Sequence, residues 1–310
     1  MRKIAIGTLL GLVTAMSAVA AAPEAAKVKR VIYYYQTQYN NGVYVSLSPM
    51  WTTLNPETGK PYVTDVMVAA FHLGYNTDGS PYIHLNDNVP SDPMFTTMWQ
   101  EVATLQSYGV TVRMMLGGAA QGSYADLFSQ WSTFYPILQQ TLQQYNLNGI
   151  DLDIEEDVTL ANAEMLIEQL NTDFGSKFLI TMAPVASALW GGANLSGFSY
   201  PDLYASPAGP MIAWFNGQFY SGFATLSSPA DYEEVVNYGY PADKIVAGMI
   251  ANSADGSGYV GMKTVSNTVK SLVTDYTHFG GVFAWEYFNA EPGGTSDPIE
   301  WAVYMTKAMR

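Results

Sequence analysis

The chain of 310 residues has a net charge of −14 and contains no cysteine. The negative charge argues against binding to nucleic acid or anionic lipid, and the lack of thiols excludes a disulfide framework, a zinc–thiolate site and a cysteine nucleophile. Only 13% of the residues are charged and 14% are aromatic. This composition would suit a neutral, hydroxyl-rich ligand such as a sugar, but it would equally suit an aromatic-rich core.

Residues 1–20 predict a secretory signal peptide. A positively charged start precedes an apolar run, and Ala18-Val19-Ala20 is a small-residue cleavage site. The alternative is an N-terminal membrane anchor, for which the apolar run is short. We therefore expect a secreted, extracellular protein whose residues 21–310 form a single domain.

Eight short apolar segments follow along the chain. They cover residues 30–36, 65–72, 110–118, 149–155, 178–184, 213–220, 244–250 and 280–286. Helical patterns at 93–109, 124–146 and 159–175 lead into the third, fourth and fifth segments. Strands alternating with helices predict an α/β fold, a single (β/α)8 TIM barrel. A doubly wound open sheet is the competing fold, but no Gly-rich phosphate turn follows the first strand.

The fourth segment, NGIDLDIEED at residues 148–157, places carboxyl groups between residues that should be buried. Side chains alternate between the two faces of a strand. The set expected to face the helices is Ile150, Leu152 and Ile154, and the set expected to face the barrel axis is Asp151, Asp153 and Glu155. Glu155 comes last, near the C-terminal rim where active sites of such barrels lie.

Three carboxyl groups in one barrel are unfavourable unless they have a chemical use, because an unpaired buried charge costs about several kcal/mol. Crowded carboxyl groups raise one another's pKa, so a protonated Glu155 could act as a general acid. The alternative is a hydrogen-bonded acidic cluster with a purely structural role.

The segment NGIDLDIE resembles the fourth-strand signature of glycoside hydrolase family 18, in which D-G-x-D-x-D-x-E is common; Asn148 stands in place of the first Asp. The resemblance implies substrate-assisted hydrolysis with retention of configuration, in which the 2-acetamido oxygen of the sugar attacks its own anomeric carbon. It implies that Glu155 acts as acid and then as base, that Asp153 orients the acetamido group, and that Asp151 supports Asp153.

Four further positions match the sugar pocket of that family. Tyr220 in QFY resembles the tyrosine that binds the acetamido oxygen, and Gln218 lies on the same inward face. Met182 and Trp285 match pocket-lining positions, with Trp285 as the floor. Each of these side chains could instead simply fill the barrel interior.

Longer segments resemble a narrower group, the secreted fungal endo-β-N-acetylglucosaminidases of the Endo T type. They are HLND, LGGAAQGSY, ITMAPVASAL, NLSGFSY, WFNGQFYSGF and GGVFAWEYFNAEPGG. Those enzymes cut between the two core N-acetylglucosamine (GlcNAc) residues of Asn-linked glycans. Two departures make an ordinary chitinase less favoured: Met115 replaces the serine of a common S-x-G-G motif, and Ser221 replaces the Asp or Asn that often follows the sixth-strand tyrosine.

The resemblance implies that the partners are glycoprotein N-glycans, high-mannose ones first, or GlcNAc oligosaccharides. We expect a monomer without metal or cofactor. A chitinase acting on soluble chitin oligomers by the same mechanism is the second reading, and a non-catalytic family-18 lectin is the third. The intact Glu155 argues against the lectin.

A few other residues carry weaker signals. Asn194, in the sequon Asn-Leu-Ser, is a possible glycosylation site. Glu286 could contact substrate or be an ordinary rim residue. The three histidines His72, His84 and His278 do not have the spacing of metal ligands.

Overall fold

The computed structural model describes residues 29–310, and its centre is a closed barrel of parallel strands. The strands are β1 (Arg30–Tyr35), β2 (Asp65–Tyr75), β3 (Thr111–Gly117), β4 (Gly149–Asp153), β5 (Leu179–Met182), β6 (Ile212–Gln218), β7 (Ile245–Ile250) and β8 (Gly281–Trp285). Each strand pairs with the next one, and β8 pairs with β1. The predicted (β/α)8 barrel is confirmed. The predicted signal peptide lies outside the described residues.

The helices surround this barrel. They are α1 (Pro49–Thr52), α2 (Thr96–Ser107), α3 (Ser123–Ser129), α4 (Trp131–Gln144), α5 (Leu160–Phe174), α6 (Tyr200–Ala205), α7 (Ala230–Tyr238), α8 (Met262–Asp275) and α9 (Glu300–Ala308). Short 3₁₀ helices cover Pro93–Phe95, Ala186–Trp190, Gly209–Met211, Ala242–Lys244, Tyr287–Asn289 and Gly294–Ser296. Across residues 29–310, none of the helices has both the length and the hydropathy needed to cross a membrane.

Two short antiparallel strand pairings lie outside the closed ring of the barrel. The strand Pro81–Leu85 pairs with the far end of β2, which is longer than predicted. The two-residue strands Tyr39–Asn40 and Val43–Tyr44 form a hairpin after β1.

Buried side chains form two layers because a barrel strand is covered on both faces. Ile150, Leu152 and Ile154 belong to the outer layer, between the strands and the helices. A smaller inner cluster, which includes Tyr34 and Trp214, fills the barrel. The predicted alternation of β4 is therefore present, with its apolar side chains outward and its carboxyl groups inward.

The strand β4 ends at Asp153, two residues earlier than predicted. The Asp153 carbonyl still accepts a backbone hydrogen bond, from Gly118 at 2.9 Å. The next two carbonyls accept from loop side chains instead: that of Ile154 from Ser196 Oγ at 2.5 Å and that of Glu155 from Gln121 Nε2 at 2.7 Å. Glu155 thus sits on a loop that is held by side chains rather than by a neighbouring strand.

We expect Gly149→Ala to destabilise the barrel. A Cβ atom at Gly149 would lie 2.1 Å from the Leu179 carbonyl oxygen of the adjacent strand, and a backbone atom cannot move aside without disturbing the pairing. Overpacking of this kind costs about 1–3 kcal/mol or more, which should lower the thermal midpoint by about 2 °C or more. Gly261→Ala is the matched control, because its Cβ would meet nothing within 4 Å. Equal midpoints for the two variants would contradict the described pairing of β4 with β5.

Candidate active site

A cleft of about 420 Å³ opens at the C-terminal ends of the barrel strands. The predicted site residues on its wall are Asp153, Glu155, Gln218, Tyr220 and Trp285. They come from the ends of β4, β6 and β8 or from the loops directly after these strands. The cleft therefore lies at the end of the barrel where parallel barrels place their active sites.

Asp151 lies fully buried beneath this cleft. One of its oxygens accepts from Tyr34 Oη at 2.6 Å, and the other accepts from Thr181 Oγ1 at 2.6 Å and from Asn216 Nδ2 at 2.9 Å. Burial raises the pKa of Asp151, while these three hydrogen bonds and the charge of Arg113 act in the opposite direction. An ionised carboxylate only accepts hydrogen bonds, so three donors suit the charged form.

Asp153 lies one step higher and is also buried. Its Oδ1 accepts a hydrogen bond from Gln218 Nε2 at 3.1 Å. Burial raises the pKa of Asp153 well above its ordinary value, the nearby Glu155 and Asp151 raise it further, and the bond from Gln218 only partly opposes them. With one donor where Asp151 has three, Asp153 is the carboxyl group of the pair whose surroundings favour the protonated form more strongly.

Glu155 is half-buried, and its side chain forms part of the cleft wall. Burial raises the pKa of Glu155, and a hydrogen bond from Gln218 Nε2 at 3.3 Å acts against the rise. The residue combines access to the cleft with a pKa above its ordinary value, which are the two properties that a general acid needs. Asp151, Asp153 and Glu155 are called the acid column below.

Gln218 connects the upper part of the acid column to β5. Its Nε2 donates to the Ala183 carbonyl at 2.8 Å and also lies within hydrogen-bonding distance of both Asp153 and Glu155. An amide NH2 has only two protons for these three acceptors. The two bonds to carboxyl groups are accordingly the longer ones, and Gln218 stabilises their negative charge only weakly.

Two aromatic residues form the cleft wall beside the acid column. Tyr220 is 7% exposed, and burial together with the charges of Asp153 and Glu155 raises the pKa of its hydroxyl well above its ordinary value. Tyr220 is thus a neutral hydrogen-bond donor. The ring of Trp285 packs 5.7 Å from that of Tyr34, and the hydroxyl of Tyr34 in turn binds Asp151.

The prediction that Met182 faces the cleft is wrong. Met182 is fully buried in the outer layer, in register with the outward-facing Leu152, and the cleft wall does not include it. Thr181, the residue before it, points inward and binds Asp151. Because side chains alternate along a strand, an inward Thr181 places Met182 on the other face.

Several site residues were not singled out from the sequence. Tyr34, Thr181 and Asn216 support Asp151, and Arg113 supplies a positive charge that β4 itself lacks. His72 lies on the cleft wall, and burial lowers the pKa of its imidazole. The three donors to Asp151 could have been sought from the alternation of side chains along a strand. They are polar residues in the inward-facing sets of other barrel strands.

Glu156, directly after the acid column, has a structural role. Its carboxylate accepts from the N–H groups of Gly122 at 3.0 Å, Tyr124 at 2.9 Å and Ala125 at 3.2 Å. These N–H groups belong to the first turn of α3, where a helix attracts negative charge. Glu156 therefore holds α3 against the loop that carries Glu155.

Glu286 is a buried structural residue rather than an exposed rim residue. It accepts from the N–H groups of Gln36 at 3.0 Å and Thr37 at 2.8 Å, and from the Thr37 hydroxyl at 2.7 Å. It fixes the loop after β1, from which Gln36 reaches the cleft.

The possible glycosylation site lies in the loop between β5 and α6. Asn194 is exposed, and its side-chain amide donates to the Phe198 carbonyl. The glycan at Asn194 stays a prediction. Within residues 29–310, no cluster of at least three His, Asp or Glu side chains is arranged to hold a metal ion.

Comparison with known proteins gives two close structural relatives. A solved fungal endo-β-N-acetylglucosaminidase from glycosyl hydrolase family 18 is 39% identical, covers 91% of this chain and 99% of its own, and superposes with a TM-score of 0.83. The chitinase ChiC from Aspergillus fumigatus is also 39% identical, covers 91% of this chain and 100% of its own, and has a TM-score of 0.79.

Curated relatives are more distant, and no protein-family model matches the chain. Chitinase 2 of Rhizopus oligosporus is 27% identical over 74% of this chain and 45% of its own length. Endochitinase 4 of Metarhizium anisopliae is 25% identical over 66% of this chain and 78% of its own length. The chain thus spans less than half the length of the Rhizopus enzyme.

The 39% identity extends over nearly the whole length of the solved family-18 enzyme and over the barrel that carries the acid column. The chain belongs to glycoside hydrolase family 18.

Proposed function

We propose that the protein is a secreted endo-β-N-acetylglucosaminidase. It would hydrolyse the β-1,4 bond between the two core GlcNAc residues of N-linked glycans, with high-mannose glycans as the first substrate class to test. The observation that carries this proposal is the acid column, which ends at the cleft beside Tyr220 and Trp285. The similarity to a solved fungal endo-β-N-acetylglucosaminidase supports the choice of bond.

Glu155 would donate the proton that the leaving oxygen needs. It is the carboxyl group of the column with the greatest access to the cleft, and burial raises its pKa. As the bond between the anomeric carbon and the glycosidic oxygen breaks, that oxygen takes the proton of Glu155, and the acetamido oxygen bonds to the anomeric carbon. Water then attacks the anomeric carbon from the face that the leaving group left, and the bond between that carbon and the acetamido oxygen breaks. Glu155 takes a proton from the water, and the configuration is retained.

Asp153 and Tyr220 would act on the acetamido group. Asp153 would orient and stabilise this group, and Tyr220 would donate its neutral hydroxyl to the acetamido oxygen. Because Asp151 has three hydrogen-bond donors and Asp153 only one, Asp151 would stay charged below and support Asp153. The mechanism requires a 2-acetamido group on the sugar whose bond is cleaved.

A chitinase that acts on soluble chitin oligomers is the second candidate, since the same cleft and the same mechanism serve either substrate. The similarity to the chitinase ChiC at the same identity, and to curated fungal chitinases, favours keeping this candidate.

We expect the protein to cleave a high-mannose glycoprotein so that one GlcNAc remains on the asparagine. Mass spectrometry of the protein and of the released glycan identifies the bond that was cut, and a chitin oligomer incubated in parallel tests the second candidate. Cleavage of the oligomer alone would overturn the endo-β-N-acetylglucosaminidase proposal and leave the chitinase. Hydrolysis of neither substrate would count against both.

Glu155→Gln should reduce hydrolysis by about 10²–10⁴-fold or more, because general acid–base catalysis has about this effect and one residue serves both steps. The change keeps the shape of the side chain, so the circular dichroism spectrum should match that of the parent. The thermal midpoint at neutral pH should not be lower, because the substitution removes a carboxyl group whose pKa is raised by burial. Glu168→Gln, at an exposed position on α5, is the control and should keep full activity. Retention of more than roughly a tenth of the activity by Glu155→Gln would require a different acid.

Asp153→Asn should become more stable, relative to the parent, as pH rises. A carboxyl group whose pKa is higher in the folded than in the unfolded state binds more protons when folded, so the free energy of unfolding falls as pH rises above the unfolded pKa of about 3.9. The Asp153→Asn variant has no carboxyl group at this position, so its free energy of unfolding does not fall with pH for this reason. Urea unfolding at about pH 4 and pH 7 measures the difference between parent and variant at each pH.

Asp275→Asn, at an exposed position at the end of α8, removes the same formal charge and serves as the control for Asp153→Asn. Its stability relative to the parent should change less between the two pH values. If the stability of Asp153→Asn relative to the parent were the same at both pH values, the raised pKa of Asp153 would be contradicted.

A further inference from the structure

An extension of β2 adds a second surface to the wall of the cleft. Beyond Phe71, β2 no longer pairs with β3 and pairs only with the antiparallel strand Pro81–Leu85. The two-stranded part, residues 71–75 and 81–85, is called the ribbon below. Its inner end reaches the candidate active site, because His72 lies on the cleft wall.

The ribbon has a buried back and an open front. Cross-strand partners lie on the same face of a ribbon, and neighbours along a strand lie on opposite faces. The back packs against α3 and α4 and consists of the core residues Phe71, Leu73, Ile83 and Leu85. The front consists of two cross-strand pairs, His72 with His84 and Gly74 with Tyr82. The three side chains of the front are partly exposed, so a ligand can reach them.

The rings on the front are held in one arrangement. Those of Tyr82 and His84 stack, with centroids 3.8 Å apart and planes 10° from parallel. Tyr82 also lies across Gly74, where a Cβ atom would come within 2.6 Å of the tyrosine oxygen and 2.7 Å of its ring carbon Cζ. Glycine at position 74 thus leaves the space that this ring occupies. A surface that is already ordered loses less conformational entropy when a ligand binds to it.

The base of the ribbon is fixed to the rest of the cleft wall. Asn86, directly after the second strand, donates from Nδ2 to the Gln36 carbonyl at 2.9 Å and to Gln38 Oε1 at 2.7 Å. Its backbone N–H donates to the Ala70 carbonyl at 2.8 Å. Gln36 and Ala70 both line the cleft. The front of the ribbon is therefore a continuation of the cleft wall, and hydrogen bonds fix its position.

The front offers hydrogen-bonding groups that carry no positive charge at neutral pH. Burial lowers the pKa of the His72 and His84 imidazoles, and the nearby charge of Asp87 only partly opposes this. A neutral imidazole has one donor and one acceptor, and the Tyr82 hydroxyl can serve as either. Asp87 itself is exposed and adds acceptor oxygens beside the two imidazoles. Neutral donors and acceptors on aromatic rings suit a ligand that is rich in hydroxyl groups.

We propose that the front of the ribbon binds the part of the oligosaccharide substrate that extends beyond the sugar unit held at the acid column. His72 would contact the chain where it leaves the cleft, and His84 and Tyr82 would contact sugar units farther out. The occupant follows from continuity, because the front begins at the wall of the candidate active site. The proposal rests on the proposed function only in taking an oligosaccharide as the substrate, which an N-glycan and a chitin oligomer both satisfy.

Isothermal titration calorimetry on the Glu155→Gln protein, which should not consume its ligands, tests the proposal. The long ligands are a free high-mannose glycan and a chitin hexamer, and the short ligand is the GlcNAc disaccharide that both contain. We expect at least one long ligand to bind about tenfold more tightly than the disaccharide, since it would add hydrogen bonds on the ribbon.

Substitutions on the two faces of the ribbon locate this gain in affinity. Tyr82→Thr and His84→Thr each remove one ring from the front, and threonine suits a strand. Each should weaken binding of the long ligand by about threefold to tenfold, as for one lost hydrogen-bonding group, and leave the affinity for the disaccharide unchanged. Tyr75→Thr is the matched control, because Tyr75 lies on the back, with its ring 5.0 Å from that of Phe134. It should leave both affinities unchanged.

Kinetics with Glu155 in place provide a second measurement. Tyr82→Thr should raise KM for the long substrate and keep kcat within about twofold of the parent, because a contact far from the cleaved bond is made equally in the bound substrate and in the transition state. Tyr75→Thr should change neither constant.

The proposal is overturned if neither long ligand binds more tightly than the disaccharide, or if the two front variants bind the long ligand as Tyr75→Thr does. An equal loss of affinity for the disaccharide would also overturn it, since it would indicate a general disturbance of the cleft. The proposed function is decided separately, by the masses of the products. A protein whose ribbon binds only the chitin hexamer would support this proposal and argue for the chitinase.

Discussion

Three hydrogen bonds from three different strands hold the Asp151 carboxylate at the centre of the barrel. Tyr34 on β1, Thr181 on β5 and Asn216 on β6 each contribute one donor. A slip of one residue in any of these strands would turn its donor toward the helices and leave a buried charge partly unsatisfied, at a cost of about 1–3 kcal/mol for each lost bond. The hydrogen bonds to Asp151 therefore favour one register of these strands in the barrel, and they also hold in place the residue beneath the candidate site.

Polarity changes in steps along the barrel axis. Arg113 lies lowest, and its charge favours the ionised form of Asp151 above it. Asp153 lies higher and receives only the shared amide of Gln218, so burial and its two carboxyl neighbours raise its pKa. Cationic support thus ends below the cleft, and the two carboxyl groups at the level of the cleft have raised pKa values.

Much of this architecture was predictable because it follows from periodicity. The eight apolar segments and the alternation of β4 placed Asp153 and Glu155 correctly on the inner face. The partners of Asp151 were not predictable in the same way. Thr181 lies in a short apolar strand, and burial alone does not decide which set of alternate side chains faces inward. In addition, the register between β5 and β6 shifts at Ile180 and Thr181. The prediction that Met182 faces inward rested on the resemblance to the family. The sequence does not show the register shift between β5 and β6.

Residues that set the chemistry and residues that shape the cleft are largely separate. The departures from common chitinase motifs, Met115 and Ser221, both lie on the cleft wall, and neither makes a hydrogen bond to the acid column. Met115 puts an apolar side chain where those motifs have a hydroxyl. Asp255, from the loop after β7, is another carboxylate on the wall, and its buried Oδ2 has no hydrogen-bond partner in the part of the chain that the structure describes.

Gly117 also lies on this wall, but it cannot be replaced in the same way as Met115 and Ser221. Its backbone has a φ of +97°, and a Cβ atom there would lie 2.2 Å from the Asp153 carbonyl oxygen. The close approach of β3 to β4 that this glycine allows also brings the N–H of Gly118 to that carbonyl. Substitutions on the cleft wall can therefore accumulate at positions such as 115, 221 and 255. The contact between β3 and the acid column has to be preserved, because it fixes the backbone that carries Asp153.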